Sequence, residues 1–403
     1  MQRIVFVNLH GNEFLLKTMN KYVYKQSCAI KHAYLLKYLL ESPDYELCSY
    51  INERGFSMAS NLHPAIMRFL NLFRFIEHRI VIKKNGIDPK KITVLSSRKQ
   101  IRKDDIVIAY RDSARTLYDF DKIEAFKAIS MIHFFGKKDE SALMQKLGVD
   151  LLYNEVDLRK HSEIFQRYYD WYDKDFIVHP FVFAERFQCI KPFAQRHNKA
   201  FATGTITYKT DDDFVAVYGD PCDQPSRKQI KDNPVYFKDT IDCYSCDYNE
   251  DNKGMEVKKA ENGFVSFYKK LYNKFHQGQQ KSYFSFNMVE KFNDYKMCIV
   301  GEEILGVPGI GFVEGMACGC AYIGQTKGYY EDYGMKAGVH YIGYDGTIED
   351  LRRVIEFYQR PEHQDELERI ANAGYEFAQQ HFNGKYSAEI LLNQIREYQK
   401  NSI

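Results

Sequence analysis

The sequence predicts an α/β protein of two domains, each a parallel sheet covered by helices on both faces. Three observations predict it. Short apolar runs alternate with polar, helix-spaced segments through the first half of the chain. The alternation restarts near residue 199, after the His179-Pro180 step, and recovers from residue 281. Residues 306–324 then read as a glycine-rich loop, a short helix and a buried strand. For an α/β chain of 403 residues, two domains is the natural count.

The elements follow in order. Residues 3–8 form a buried strand ending in a turn at His10, Gly11 and Asn12. Residues 26–41 place Ile30, Ala33, Tyr34, Tyr38 and Leu39 at helical spacing. Residues 45–51 read as a second strand. Residues 105–110, 128–133, 150–153 and 176–178 are further short apolar runs between helix-like segments, a rhythm that implies parallel pairing. Residues 199–204 open the second sheet. Residues 209–262 are rich in Asp, Asn, Gly and Pro and read as an irregular insertion. Residues 286–292 look helical and 296–300 look like a strand. Thr347 caps a helix with Leu351, Val354, Ile355 and Tyr358 on one face. Pro361 opens another that aligns Leu367, Ile370, Ala371, Phe377 and Ala378. Asn383 and Gly384 break the chain before a last amphipathic helix at 386–399. The predicted division is 1–188, 189–385 and 386–403.

Composition narrows the function. A net charge of +2 gives no global argument for nucleic acid. Nine scattered cysteines argue for a reducing compartment, and the Cys243, Cys246 pair with Cys222 upstream lacks a fourth ligand at metal spacing, so free thiols are expected. No secretory leader is read at Met1, and no apolar run approaches the ~20 residues of a membrane span, so a cytoplasmic protein is expected. Residues 69–76 are apolar and aromatic, and residues 79–103 carry nine Lys or Arg against Asp88 alone. That combination suits peripheral contact of 69–103 with an anionic membrane face, or a core helix followed by a solvated basic surface.

The chemistry concentrates in residues 306–324. Gly306, Gly309 and Gly311 let backbone approach a ligand closely. The helix after them points free N–H groups toward that ligand, which suits a diphosphate. Glu314 falls in its first turn, where the carboxylate suits a pair of sugar hydroxyls better than a phosphate. Gly319 ends the helix before the core strand 320–323.

This segment resembles the donor-binding segment of GT-B glycosyltransferases, in particular the mostly retaining, nucleotide-sugar-dependent group with a Glu-x7-Glu motif. Glu314 through Gly319 (Glu-Gly-Met-Ala-Cys-Gly) matches the second half of that motif with one change, at Gly315. The first glutamate falls on Gly306 and is missing; Glu302 and Glu303 lie close by as replacements. The resemblance is specific over about 295–385. It implies two Rossmann-like domains facing across a cleft, a hinge near His179-Pro180, and a last helix crossing back to the N-terminal domain.

The resemblance also implies the site. Glu314, Gly306, Gly309, Ile310 and Gly311 would bind the donor. Gly204 and Thr205 would form a phosphate-contacting turn. Thr205 stands where many relatives have an arginine, and Lys209 is positioned to supply the charge. His133, after a strand end, and Glu303 are the candidate catalytic residues; His10, Gly11 and Asn12 form the candidate acceptor loop. Asp211 and Asp213 formally match a metal-binding Asp-x-Asp pattern, but a solvated turn is the favoured reading.

The function expected is transfer of a sugar from a nucleotide-sugar to a glycan or lipid-linked acceptor, without metal or bound cofactor and with retention of configuration, in surface polysaccharide or glycoconjugate assembly. Two other classes fit less well. One is a non-catalytic carbohydrate- or nucleotide-binding protein on the same scaffold, which the changes at Gly306 and Thr205 keep open. The other is a nicotinamide-dependent enzyme, against which the absent Gly-x-Gly-x-x-Gly fingerprint argues.

Overall fold

The structure, a computed structural model, describes residues 1–7, 33–50, 79, 83, 88–110, 120–132, 134, 136, 138–248 and 286–401. The chain divides into two compact units.

The first unit comprises Met1–Asn154, Tyr168–His179 and Ser387–Ile403. Its described strands are β1 (Gln2–Val7), β2 (Tyr45–Tyr50), β3 (Thr93–Leu95), β4 (Ile106–Tyr110), β5 (Phe126–Ser130), β6 (Leu151–Asn154) and β7 (Phe176–Val178). They pair in parallel in the order β3-β2-β1-β4-β5-β6-β7. Ile4 to Val7 and Ile106 to Ala109 are buried throughout, as unbroken apolar runs in a doubly covered sheet must be. The helix Ala33–Glu41 drops Leu35, Leu36 and Leu39 onto this sheet.

The last helix, Gly384–Asn401, completes the same core. Ala388, Leu391, Leu392 and Ile395 cluster with Ile4, Phe6, Leu36 and Ile106. Its polar edge is tied down as well: Gln399 Nε2 donates to the Asp104 carbonyl at 3.3 Å and Arg396 Nη1 to the Tyr45 hydroxyl at 3.3 Å. The end of the chain thus returns to the unit in which the chain began.

The second unit comprises Glu155–Arg167 and Pro180–Tyr386. It contains β8 (His197–Ala202), β9 (Thr205–Ile206), β10 (Ile241–Cys243), β11 (Cys246–Asp247), β12 (Tyr295–Ile299), β13 (Ala321–Gln325) and β14 (Ile342–Tyr344). Five of them form a parallel sheet in the order β10-β8-β12-β13-β14, and β9 pairs separately with β11. The helices Ile348–Gln359 and Gln364–His381 bury Leu351, Val354, Ile355, Leu367, Ile370 and Ala371 against it. Thr347 caps the first of them, its hydroxyl accepting from Asp350 N at 3.2 Å.

Two expectations change here. The described part of 209–262 is not irregular: it holds the helices Asp212–Tyr218 and Pro225–Asp232 and the strands β10 and β11. Polar residues dominate the stretch because its helices are short; Asp211 stands at the amino end of the first, and Pro225 sits in the first turn of the second. Residues 249–262 lie outside the described residues. The segment Glu155–Arg167, read with the N-terminal domain, belongs to the second unit. It is tied there by the Tyr333 hydroxyl, which donates to the Glu155 carbonyl, and by His161 Nε2, 2.8 Å from an Asp332 carboxylate oxygen.

Candidate functional site

Open parallel sheets bind ligands beyond the carboxyl ends of their strands, where the strand order reverses. In the second unit the reversal falls at β8, which has β10 on one side and β12 on the other. The loops after β8 and β12 therefore define the place to look. They contain Gly204, Glu303, Gly306, Gly309 and Ile310 and lead directly into Thr205 of β9 and Gly311, all named from the sequence.

One side chain organises these loops. Arg227, on the helix Pro225–Asp232, is buried. Its Nε donates to the Val300 carbonyl at 2.5 Å, Nη1 to Thr205 at 2.7 Å and Nη2 to Gly301 at 3.0 Å. A Cβ at Gly204 would lie 2.7 Å from Arg227 Nε, one at Gly301 2.8 Å from its Cγ, and one at Gly309 2.5 Å from its Nη2. Three loop glycines are thus explained by the Arg227 side chain lying against them. Gly204 and Gly301 also have positive φ, 132° and 63°, which side-chain-bearing residues rarely adopt.

Packing explains why residue 306 is a glycine and not the glutamate that the resemblance implies there. Its φ is 81°, and a Cβ there would lie 2.1 Å from the His161 carbonyl oxygen. No side chain fits at that position in this fold. Gly315 has a similar cause, since a Cβ would meet Cys298 Sγ at 2.5 Å. Gly311 packs against Val300, which would stand 3.0 Å from its added Cβ.

The two nearby glutamates part company. Glu302 is buried among tyrosines, where its Oε1 accepts from the Tyr330 hydroxyl at 2.7 Å and from Gln325 N at 2.9 Å. It is a structural group. Glu303 is half-buried beside an ionic cluster. Gln224 Nε2 stands 3.4 Å from its Oε1, and Lys209 Nζ stands 3.1 Å from Asp223 Oδ2. Burial first, then the neighbouring Asp223 charge, push the Glu303 carboxyl up to about 7, against the pull of Arg227 and Lys209. Lys209 is buried and stands 4.9 Å from the centre of the Phe214 ring. The cation foreseen for a phosphate is therefore held in an ion pair.

Glu314 lies on the helix Gly311–Ala317, whose amino end carries no side-chain cap. Around it Phe312, Val313, Met316 and Ala317 are fully buried, while Glu314 is only half-buried. Its carboxyl makes no hydrogen bond to the described residues. Burial pushes it up to about 7, opposed by the Arg186 charge. Ile310, just before the helix, is 47% exposed.

The structure thus brings Gly204, Thr205, Gly309, Lys209 and Glu303 around one set of charges, with Glu314 on the adjoining helix and Ile310 just before it. His10, Gly11, Asn12 and His133 lie outside the described residues. Sequence reasoning missed Arg227, Asp223 and Gln224, all within the stretch read as irregular; Pro225 as a helix opener was the available signal. Among the described residues no group of His, Cys, Asp or Glu is arranged to hold a metal ion, and no helix is long and apolar enough to cross a membrane.

Two parallel sheets built on this plan, with the last helix returning to the first, define the GT-B fold. The chain is similar over nearly its whole length to solved structures of that fold. HepE from Anabaena, in complex with UDP-glucose, superposes with a TM-score of 0.51 at 11% identity, over 98% of this chain and 100% of that one. Sucrose-phosphate synthase from Thermosynechococcus elongatus superposes with a TM-score of 0.50 at 10% identity, over 98% and 99%. No protein-family model and no curated protein sequence matches the chain.

Proposed function

We propose that this protein is a glycosyltransferase that takes its sugar from a nucleotide-sugar donor held by the second unit. The observation that carries the reading is the convergence of glycine loops, Arg227 and Lys209 at the point where the second sheet reverses its strand order, with Glu314, whose carboxyl has no hydrogen-bond partner among the described residues, on the helix that follows those loops. The UDP-glucose in the HepE structure supports the same choice of ligand class. In this reading Glu314 accepts hydrogen bonds from the donor ribose diol. The cations and loop N–H groups take up the charge of the departing diphosphate. The anomeric carbon exchanges its bond to the diphosphate oxygen for one to an acceptor hydroxyl; the electron pair stays with the diphosphate, and the hydroxyl proton is released.

The acceptor is a glycan or a lipid-linked glycan, in surface polysaccharide or glycoconjugate assembly. The transfer is metal-independent and retains configuration, a reading that rests on the likeness of residues 314–319 to the retaining group. The first unit carries the acceptor site; residues 69–103, of which 69–78, 80–82 and 84–87 lie outside the described residues, would either meet the inner face of a membrane from the cytoplasm or form a core helix followed by a solvated basic surface. Liposome co-sedimentation indifferent to anionic lipid content would remove the membrane contact.

The experiment is a thermal-shift screen against UDP, GDP, TDP, ADP and CMP, followed by turnover assays with the sugar donors of whichever nucleotide binds. A ligand that binds only the folded state raises the melting temperature. Donor hydrolysis or transfer supports an enzyme; tight nucleotide binding with no turnover of any donor points to a non-catalytic binding protein.

A further inference from the structure

Arg227, like Arg196, is a buried guanidinium bonded only to neutral groups, and of the two it is Arg227 that lies among the loops after β8 and β12. It is buried at 7% exposure, and no carboxylate among the described residues lies within ion-pair distance of it. Its three hydrogen bonds end on neutral peptide carbonyls. Two of the five N–H donors of an arginine are then left over. Burying a charge is expensive unless it is paired, and an apolar side chain of similar size would usually cost less. Glu303, whose field reaches Arg227, is pushed up to about 7 and neutralises it only in part near neutral pH. Lys209 and Asp223 offset each other.

The location adds the second argument. Val300 and Gly301 follow β12, and Thr205 follows β8, so the fork bridges the two strands between which the sheet order reverses. Gly309, at the entrance to the Glu314 helix, lies against the same guanidinium. A planar fork of fixed geometry can hold three loops at once; an ammonium on a flexible stem cannot.

We infer that Arg227 is a positioning residue for the donor diphosphate: it fixes the Gly204–Thr205, Val300–Gly301 and Gly309 loops in the shape that receives the phosphates and leaves an incompletely neutralised positive charge beneath them. This rests on the donor-site reading above. The fork, more than the charge alone, sets the geometry, so lysine does not replace it.

The test uses the full-length protein and Arg227→Lys, with Arg227→Met as a second variant. The tightest of UDP, GDP, TDP and ADP on the wild type is titrated calorimetrically, well below each melting temperature, beside its parent nucleoside. Loss of one or two charge-assisted contacts predicts diphosphate binding about tenfold or more weaker in Arg227→Lys, with nucleoside binding within about twofold of wild type. Arg227→Met should lose more; if it does not fold, the lysine variant decides alone. A lysine variant that melts lower but binds the diphosphate like wild type makes Arg227 a structural staple and overturns the inference. Equal loss for nucleoside and diphosphate overturns it too. A wild-type protein that binds none of the four nucleotides defeats the donor reading itself, and this inference with it; normal wild-type binding with an indifferent variant defeats this inference alone.

Discussion

Among the described residues the Glu314 carboxyl has no hydrogen-bond partner, on a helix whose other side chains are packed. If the partner is a ribose diol, Glu314→Ala should weaken nucleotide binding roughly tenfold to several-hundredfold, since charge-assisted bonds contribute about 1.5–3 kcal/mol each. Glu314→Gln should lose less, because an amide oxygen still accepts. Melting curves of the ligand-free variants should stay near wild type; a large drop with unchanged affinity would make Glu314 structural. Burial raises its proton affinity in the folded state, to about 7 from an ordinary 4.5. The stability this group contributes is therefore fully present below its unfolded value and is lost as pH rises through about 7. Glu314→Gln should flatten that part of the stability–pH curve between pH 5 and 8. Glu303 carries the same sign and adds a second effect. Ionising near 7 beside Arg227, it competes with an anionic ligand, so diphosphate affinity should fall as pH rises from 6 to 8. In Glu303→Gln that slope should shrink; an unchanged slope would place the titrating group elsewhere.

At the scale of elements, the loop before the Glu314 helix is built around positions that exclude side chains. Gly306 is the sharpest case, combining a φ of 81° with a carbonyl in the space of its Cβ. Gly306→Ala should destabilise the protein by more than the ~1 kcal/mol typical of alanine at positive φ, because the segment around His161 must also move. Thermal denaturation checks this, and a melting temperature equal to wild type would show the loop to be compliant. The last helix makes a different kind of contribution. Leu391 is fully buried in the core of the first unit. Leu391→Ala should cost about 2–5 kcal/mol by chemical denaturation, the usual range for emptying such a site. A change below ~1 kcal/mol would mean the helix is loosely held.

For the molecule as a whole, the parts legible in sequence were those with local signatures. Unbroken apolar runs marked β1, β4 and β12; Thr347 and Pro361 marked helix starts; Glu314 through Gly319 marked the helix Gly311–Ala317 and its following strand. What stayed hidden depends on contacts between distant segments. Arg227 meets carbonyls of residues 205, 300 and 301, and nothing in the residues around 227 announces those partners. Gly306 read as a gap in a motif, because its reason lies in a carbonyl at residue 161. Glu302 and Glu303 are adjacent and looked alike, yet tyrosine hydroxyls claim one and a half-buried ionic cluster surrounds the other. The stretch 209–248 was obscured by its polarity, since helices of seven and eight residues carry too few turns for periodicity to show.

The return of the last helix to the first unit also sets an order of events during synthesis. Leu36, Ile4 and Ile106 are made before the second unit, while Leu391, Leu392 and Ile395, which cover them, are made only after it. The intervening second unit takes roughly ten to forty seconds to translate at about 5–20 residues per second. During that interval the older unit waits with part of its apolar interior open, while the younger one can already close. A ribosome that stalls before residue 387 would therefore release a chain with a finished second unit and an unfinished first, a natural client for chaperones.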